Sequence, residues 1–534
     1  MIKNSRLIIF VIIIFIGSNI IIGSGDNFKK IMNLSNSNVL IPREAWNKTF
    51  GGGNLDWGWS VQETIDGGFI IAGETVSFGS GGYDAWLIKT DGNGNETWNK
   101  TFGGASKDGS RTVSQTNDNG YILGGYADSY GYPGHDAWFI KTDTEGNEEW
   151  NTTVGGIASD GTFTVIQTSD EGFIGVGYAD SYGAGNHDLW LVRTDKYGNE
   201  QWNKTYGTAD WDLGYSLKEC DDGGYIIIGT TQSYGAGNQD AWLIKTDING
   251  VEEWNKTYGG ANNDWGSAVV IGEDGYYITG DTRSYGSGGY DVWLIKTDEY
   301  GNEQWKRVYG ESVSDDTGYS FIQTSDGGFA IVGTKTSFST QLTDMWLIKT
   351  DYNGYMNWNI TIDGGEDEWS YSVDETTDGG YIITGRTNSY GSGNYDFWLI
   401  KVELVNYENL PPDAPVIDGP RRGKAGEEHE YTFTSEDHDG EDVSYYIRWG
   451  DGQVIPWTDF QPSGSPYVDN HTWTEEGNYI LEAKAKDIYG EESDWERISI
   501  SMPRNKILQN SLILKLFERI PNMFSMLNYI LGLQ

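Results

Sequence analysis

A segment that recurs seven times restricts the fold of this chain more than any other feature of its sequence. The tryptophan of a run similar to W-N-K-T returns every 51–53 residues, from Trp46 to Trp358. A second tryptophan, in D-x-W-L-I-K, keeps the same register from Trp86 to Trp398. A repeat of this length is one supersecondary unit that cannot bury its hydrophobic face alone, so neighbouring copies must pack on one another.

Each copy contains four strand-like runs, and the turn residues Asp66-Gly67 join the first two runs of the first copy. Seven units of four antiparallel strands predict an all-β fold, namely a seven-bladed β-propeller over residues 44–402. A linear solenoid is the rival architecture. The four runs of the first copy are Ser60–Thr64, Gly68–Glu74, Ala85–Thr90 and Thr97–Phe102.

The two ends of the repeat predict how the ring closes. The first W-N-K-T run, at 46–49, comes before any complete unit, and the last unit stops after its third strand at Lys401. We therefore expect residues 44–50 to supply the fourth strand of the last unit, which would remove the open sheet edges of the ring.

The repeat resembles two groups of known propellers. The run K-T-D-x-x-G-N-E-x-W is similar to the tryptophan-docking motif of quinoprotein-like propellers. The whole repeat, with runs such as S-D-G-G-F and D-x-W-L-I-K-T-D, resembles uncharacterised propellers of secreted archaeal and bacterial proteins. The resemblance implies the fold and leaves the activity open, because propellers host many activities.

The segment after the repeat predicts a linker, a second domain and a tail. Residues 403–415 carry three prolines and are typical of a linker. Residues 416–502 contain a W-G-D-G turn at 449–452 and a G-N-Y run at 477–479, which resemble the PKD domain. That resemblance implies an immunoglobulin-like β-sandwich that spaces or adheres at cell surfaces. Residues 503–534 predict a tail of short amphipathic helices, either for sorting and anchoring or docked on the sandwich as a hairpin.

The N-terminal segment predicts export. Lys3 and Arg6 precede the apolar run Leu7–Ile16, so residues 1–25 are typical of a signal peptide. An uncleaved membrane anchor is the alternative, and residues 26–43 are interpreted as a linker. We therefore expect an extracellular or cell-surface protein, with membrane or envelope association through the N-terminal segment or the C-terminal tail.

Composition narrows the classes of partner. The formal net charge of −43 repels polyanions, so nucleic acid is excluded as a partner, whereas cations and basic partners are attracted. A large acidic surface that stays soluble is the simpler explanation of the same charge. The single cysteine, Cys220, excludes an intrachain disulfide.

Rings of repeated side chains supply the candidate binding residues. Carboxylates just before the first strand of each unit and tyrosines in the glycine-rich loops are predicted to share one face of the ring, where they suit a glycan, a basic protein segment or calcium. Capping of nearby loop amides is the structural alternative for the carboxylates. The candidates are Asp56, Asp108, Asp160, Asp212, Asp264, Asp316 and Glu368, with Tyr130, Tyr182, Tyr234, Tyr285 and Tyr390.

Residues that differ from the repeat consensus are the candidates for catalysis, because a single active site needs side chains with different roles. His135 and His187 lie in corresponding loops of neighbouring units and suit a metal or proton-transfer site, or are simply exposed. The sequence favours a non-catalytic surface protein that binds a glycan, a protein or a cation. The alternative is an extracellular glycan hydrolase, lyase or quinoprotein-like oxidoreductase, which a cleft lined by residues that break the repeat would favour.

We predict that the native protein carries periodic N-linked glycans. The sequon N-x-[ST] recurs at the same repeat position on the outermost strand, and export exposes it to a glycosylation system. Mass spectrometry of the native protein checks this, and unmodified peptides at all six positions would contradict it. The alternative is that asparagine simply suits the strand. The six positions are Asn47, Asn99, Asn151, Asn203, Asn255 and Asn359.

Overall fold

The computed structural model describes residues 39–407 and 409–503, and these fold entirely into strands, turns and loops. The predicted signal segment and the predicted helical tail lie outside the described residues. Within the described part of the chain, no helix is long and apolar enough to cross a membrane. The contacts divide the chain between Val405 and Asn406 into two compact units.

The first unit consists of seven four-stranded antiparallel sheets, which confirms the prediction of seven four-stranded repeats. Six of the sheets take their strands in chain order, and the seventh takes its outermost strand from the beginning of the chain. Sheets 1 to 3 are β2 (Asp56–Glu63), β3 (Phe69–Thr75), β4 (Asp84–Thr90) and β5 (Glu96–Phe102); β6 (Asp108–Gln115), β7 (Tyr121–Ala127), β8 (Asp136–Thr142) and β9 (Glu148–Val154); and β10 (Asp160–Gln167), β11 (Phe173–Ala179), β12 (Asp188–Thr194) and β13 (Glu200–Tyr206). Sheets 4 and 5 are β14 (Asp212–Glu219), β15 (Tyr225–Thr231), β16 (Asp240–Thr246) and β17 (Glu252–Tyr258); and β18 (Asp264–Gly272), β19 (Gly275–Thr282), β20 (Asp291–Thr297) and β21 (Glu303–Tyr309). Sheets 6 and 7 are β22 (Ser314–Gln323), β23 (Phe329–Ser337), β24 (Thr343–Thr350) and β25 (Met356–Ile362); and β26 (Glu368–Glu375), β27 (Tyr381–Thr387), β28 (Asp396–Tyr407) and β1 (Val39–Phe50).

The pairing of the two chain ends follows the sequence prediction, with longer strands than expected. β1 lies beside β28, so the predicted pairing of residues 44–50 with the last strand of the repeat is confirmed. β1 begins at Val39 and β28 ends at Tyr407, so both strands run into segments that the sequence assigned to linkers. Arg43 and Glu403 form an ion pair of 2.6 Å between these extensions, which the linker assignment missed because it rested on composition alone.

The hydrophobic cores lie between the sheets. Seven clusters of buried side chains each join two consecutive sheets, and the last cluster joins sheet 7 to sheet 1. In that last cluster Trp86 packs with Ile382 and Leu399. The first strands contact one another in chain order, and β26 in turn contacts β2. None of the sheets closes on itself, and the propeller arrangement stays a prediction at this point.

The same hydrogen bonds recur from one junction between sheets to the next. At six of the seven junctions, the aspartate at or near the start of a first strand donates its N–H to the carbonyl of the residue before the third strand of the preceding sheet, as Asp108 does to Tyr83 at 2.7 Å. Asp56 makes this bond with Tyr395 of sheet 7, also at 2.7 Å. The junction of sheets 7 and 1 is therefore built like those between sheets that are neighbours along the chain.

Buried cations hold the turns between the first and second strands. Lys89 donates to Thr90 O at 2.9 Å and lies 3.0 Å from the turn carboxylate of Asp66. Burial alone would raise the pKa of Asp66, but hydrogen bonds from Thr64 and Lys89 outweigh it and lower that pKa. The other pairs are Asp118–Lys141, Asp170–Arg193, Asp222–Lys245, Asp274–Lys296, Asp326–Lys349 and Asp378–Lys401.

The second unit is a β-sandwich of two antiparallel sheets with its own aromatic core. Within it, the imidazole of His471 stacks on Trp449 with 4.4 Å between ring centres and lies 2.8 Å from the Asp451 carboxylate. The W-G-D-G turn is thereby fixed to the opposite sheet. The strands are β29 (Val416–Asp418), β30 (His429–Thr434), β31 (Val443–Arg448), β32 (Val454–Ile455), β33 (Tyr467–His471), β34 (Gly477–Asp487) and β35 (Glu496–Met502).

We predict that Trp190→Ala lowers the free energy of unfolding by about 3–5 kcal/mol, because it opens a cavity between two sheets. Trp190 is fully buried and donates its indole N–H to Asn203 at 3.2 Å. The matched control is Trp211→Ala, since the side chain of Trp211 is 45% exposed. Urea denaturation of both variants measures the effect, and equal midpoints for Trp190→Ala and the wild type would contradict it.

Candidate functional site

The carboxylates at the starts of the first strands face their own loops. Asp56 is fully buried and accepts hydrogen bonds from the Thr75 hydroxyl, from the Ser77 hydroxyl at 2.7 Å and from Gly52 N–H at 2.9 Å. Asp108, Asp160, Asp212, Asp264, Asp316 and Glu368 are likewise fully buried and hydrogen-bonded to nearby loops. This is the structural alternative weighed above, and a binding role for the ring stays a prediction.

The loop tyrosines pack on the tryptophan of their own sheet, and part of each ring remains exposed to solvent. Tyr182 lies over Trp190 with 5.6 Å between centres, and its hydroxyl donates to Gly155 O at 2.7 Å. The other four also pack on the tryptophan of their own sheet, which leaves one aromatic edge exposed per loop. They are Tyr130, Tyr234, Tyr285 and Tyr390.

The two histidines, His135 and His187, each contact an aspartate and an aromatic ring, and they share none of these partners. His135 lies 2.9 Å from Asp128 and against the edge of Tyr126, with 4.6 Å between ring centres. His187 pairs with Asp180 and packs against Trp211. In the described part of the chain, neither belongs to a group of three close metal-ligand side chains.

The periodic asparagines have a structural partner that the sequence did not reveal. Asn99 accepts the indole N–H of Trp86 at 3.2 Å and donates to Glu96 at 2.6 Å. Asn151, Asn203, Asn255 and Asn359 accept the corresponding indole N–H. Where Lys306 replaces asparagine, Trp293 donates to the carbonyl of Trp265 instead. Asn47 donates to Glu44 at 2.5 Å in the same way. Recurrence of asparagine therefore has a physical reason that is independent of glycosylation.

A bulge in each first strand directs one side chain out of the ladder. The pairing with the second strand shifts at the same place in all seven sheets, as between Gly58 and Ser60. A bulge leaves its extra residue unpaired and re-aims that side chain. The bulge residues are Trp59, Arg111, Phe163, Tyr215, Ser267, Tyr319 and Tyr371. The sequence analysis missed this set of residues, although five of the seven copies have an aromatic residue directly after a repeated small residue.

A cleft of about 310 Å³ lies at sheets 1 to 3, and two bulge residues, Arg111 and Phe163, contribute to its lining. Its walls are mainly aromatic, with one buried ion pair. Of the residues predicted to bind ligands, His135 lies in this cleft; Arg111 and Glu74 are additions from the structure. The lining residues are Trp57, Glu74, Tyr83, Lys107, Arg111, Tyr126, His135, Gly161, Thr162, Phe163 and Tyr178.

The ion pair Glu74–Arg111 organises the cleft. Arg111 Nε lies 3.2 Å from Glu74 Oε1, and the Tyr126 hydroxyl donates to Glu74 Oε2 at 3.2 Å. Burial raises the pKa of Glu74, although Arg111 and Tyr126 oppose the shift. The guanidinium of Arg111 lies 4.1 Å from the ring centre of Trp59. The cleft thus offers aromatic faces beside a fixed donor and acceptor.

Two groups of carboxylates are close enough to hold a divalent cation such as the calcium that the sequence suggested. In each group the ligand atoms lie within 4.8 Å of one another. One group is Asp344, Asp363 and Glu368 in the first unit, and the other is Asp437, Asp439 and Glu441 in the second. Calcium binds six to eight oxygen atoms, so either group would need further ligands.

Carboxylates at the starts of the third strands are buried beside those of the next first strand. Asp396 is 1% exposed, and Ser392 N–H donates to it at 2.9 Å. Burial and the nearby charge of Asp56 raise the pKa of Asp396 to about 6. Asp291 has the same setting, and its pKa is also raised to about 6.

We predict that the first unit is more stable at pH 5 than at pH 7.5. A group whose pKa is raised by folding stabilises the folded state at low pH, and that contribution is lost as the pH rises through about 6 for Asp396. Asp378, whose pKa falls to about 2, loses its opposite contribution only below pH about 4. Thermal melts at the two pH values measure the effect.

The control for this pH effect is Asp396→Asn. It should raise the melting temperature at pH 7.5 and reduce the difference between the two pH values, because it removes one buried ionisation. Melting temperatures that rise steadily from pH 5 to pH 7.5 would contradict the prediction.

Comparisons with known proteins give limited matches. No protein-family model matches the chain. The chain is 25% identical over 182 residues to the regulatory protein FlaEY of Caulobacter vibrioides and spans 19% of that relative's length. It is 16% identical to fibronectin(III)-like modules of Clostridium thermocellum CbhA, with 41% of this chain and 90% of that chain covered and a TM-score of 0.16.

One solved structure matches closely in sequence. The PKD domain of an M14-like peptidase from a Thermoplasmatales archaeon is 41% identical, with 18% of this chain and 99% of that domain covered and a TM-score of 0.18. Scores this low carry no argument about the arrangement of the whole chain, so the identity is the informative value. By sequence identity, this chain is similar over one segment to PKD domains of the immunoglobulin type.

Proposed function

We propose that this chain is an extracellular or cell-surface binding protein whose seven sheets form a seven-bladed β-propeller and whose cleft between sheets 1 to 3 binds a glycan. The propeller arrangement is supported by the contacts of first strands in chain order, with β26 against β2. It is further supported by the bond from Ser169 to Glu219, which recurs from Thr377 to Glu63 across sheets 7 and 1.

One observation carries the choice of binding site. The repeat gives seven equivalent positions at the bulge, and the cleft lies where an arginine paired with Glu74 replaces the aromatic residue found at most of them. A volume of about 310 Å³ falls at the lower end of the range of about 300–1,000 Å³ for ligand pockets.

The lining of the cleft suits a sugar. The apolar face of a pyranose ring packs on an aromatic face, and Trp57 and Tyr83 present rings 5.8 Å apart at the cleft wall. Sugar hydroxyls both donate and accept, so the paired carboxylate and guanidinium of Glu74 and Arg111 match them. The acidic molecule as a whole disfavours an anionic glycan.

We predict that the double variant Glu74→Gln/Arg111→Met binds the glycan about tenfold or more weakly than the wild type, since it loses charged hydrogen-bond partners. Replacing both members of a buried ion pair by neutral side chains of similar volume leaves folding nearly unchanged. Glycan-array screening of the full chain, followed by calorimetry on the best ligand, measures this. Trp211→Phe, outside the cleft, is the matched control, and equal affinities of double variant and wild type would contradict the proposal.

An enzyme is the second candidate, and the same cleft favours it. The cleft breaks the sevenfold equivalence, and the buried carboxyl of Glu74 has a raised pKa, as a general acid requires. Incubation of each bound glycan with the protein distinguishes the two candidates. Release of product that stops in Glu74→Gln would favour the enzyme, and recovery of intact glycan would favour the binding protein.

A further inference from the structure

The residue after the recurring glycine of the second strand differs in chemistry from one sheet to the next, and two of these residues reach the following sheet. Glu74 of sheet 1 reaches Arg111 and Tyr126 of sheet 2. Arg386 of sheet 7 lies 4.9 Å from the ring centre of Trp57 in sheet 1. The seven residues at this position are Glu74, Tyr126, Tyr178, Thr230, Asp281, Thr334 and Arg386.

Asp281 of sheet 5 holds the same repeat position as Glu74 of sheet 1, but no arginine corresponds to Arg111 in the sheet that follows it. In sheet 6 the bulge residue is Tyr319, whereas in sheet 2 it is Arg111. Asp281 is 9% exposed, and within the described residues its carboxyl group has burial and the charges of Asp264 and Asp315 around it, with no hydrogen bond or cation. A buried carboxylate without a partner is costly, so a folded chain that retains one invites a partner from outside.

An aromatic side chain shares a face with this carboxyl group. Trp265 stands directly opposite Asp281 in the ladder of β18 and β19, so the two side chains share a face. Trp265 stacks on Tyr215 with 6.2 Å between ring centres. After burial, the negative charge of Asp281 is a cause of the raised pKa of both Tyr215 and Tyr319. Two rings of neighbouring sheets are therefore close enough to feel its field.

The bulge residue of this sheet has a small side chain. Ser267 is the smallest of the seven bulge residues; the others are five aromatic side chains and an arginine. Tyr215 and Tyr319 hold the corresponding positions in the sheets on either side. The smallest bulge side chain therefore lies in the same sheet as Asp281.

We propose that Asp281 binds an organic ammonium group, with Tyr215, Trp265 and Tyr319 as the aromatic walls of the site. Aromatic faces attract alkylammonium ions, and a carboxylate supplies the counter-charge. A bare divalent cation is disfavoured because it needs six or more oxygen ligands. The neighbouring carboxylate of Asp264 already accepts hydrogen bonds from Thr282 and Ser284. The ammonium group belongs either to a free amine or to a lysine side chain.

Calorimetry of the full chain with n-butylammonium chloride tests the proposal. Asp281→Asn should bind the probe about tenfold or more weakly, because it removes a charge-assisted contact while keeping the shape of the side chain. Asp315→Asn is the matched control, since it deletes a neighbouring carboxylate that already accepts Tyr290 N–H at 2.8 Å. If both variants lost the same affinity for butylammonium, the effect would come from the general negative charge of the region, and the proposal would be overturned. Binding of calcium without binding of butylammonium would also overturn it.

The repeat itself supplies a second variant. Tyr319→Arg places an arginine at the bulge position of sheet 6, the position at which Arg111 of sheet 2 pairs with Glu74. It should abolish probe binding and raise the melting temperature, because the carboxylate gains a partner within the chain. Probe binding that survives a folded Tyr319→Arg protein would overturn the proposal.

A pH series gives a readout that a merely structural role would not show. Burial, followed by the charges of Asp264 and Asp315, raises the pKa of Asp281 to about 8, and the hydroxyls of Tyr215 and Tyr319 also face it. Affinity for butylammonium should therefore rise from pH 6.5 to pH 9 in the wild type and stay flat in Asp281→Asn. A flat wild-type profile would overturn the proposal.

Two further measurements assign the source of the ammonium group and separate this site from the glycan cleft. A blocked lysine peptide that binds more tightly than butylammonium assigns the site to a lysine-bearing partner, and the reverse order assigns it to free amines. The Glu74→Gln/Arg111→Met variant should keep its affinity for butylammonium, because its substitutions lie in sheets 1 and 2. Failure of glycan binding therefore leaves this inference intact, and the reverse also holds.

Discussion

The packing of each third-strand tryptophan against the neighbouring sheet is the interaction on which the first unit depends. Trp138 of sheet 2 lies in one cluster with Ala72 and Leu87 of sheet 1, and the same arrangement recurs at the other junctions. An isolated four-stranded sheet of this repeat therefore lacks a core. Because sheet 7 is completed by β1 and shares a cluster with sheet 1, the stability of the unit rests on both chain ends together.

Because the recurring packing and hydrogen bonds lie elsewhere in the repeat, the bulge residue of each first strand is free to vary. Turns, third strands and tryptophans are held by repeated bonds such as Lys89 to Asp66 and Trp86 to Asn99. The bulge residue carries none of these bonds, so it can be tryptophan, arginine or serine without loss of the framework. Both proposed sites lie at bulge positions for this reason, and the repeated rings of aspartate and tyrosine mainly support the loops.

The sequence predicts the framework because every structural residue is present in seven copies. It identified the strands, the turns and the pairing of residues 44–50 with the last repeat. It did not predict the cleft, because Glu74 and Arg111 are 37 positions apart and each occurs once at its repeat position. It left open whether Asn99 is glycosylated or simply suits the strand, since the acceptor of an indole N–H is visible only when the third and fourth strands are aligned.

Three charged residues at one position of the repeat, the position after the recurring glycine of the second strand, give otherwise equivalent sheets different chemistry. Glu74 is neutralised by Arg111, whereas Arg386 lies among the rings of Trp57, Trp369 and Tyr395 and has no ion pair within the described chain. Asp281, two sheets before Arg386, lacks a cation. Tyr319 stands in the sheet between them and feels both charges, as the opposite effects of Asp281 and Arg386 on its pKa indicate. The carboxyl group of Asp281 ionises only as the pH rises through its pKa of about 8, and above that pH an unpaired acid and an unpaired base lie on either side of one sheet. Together they orient a ligand that carries a charge.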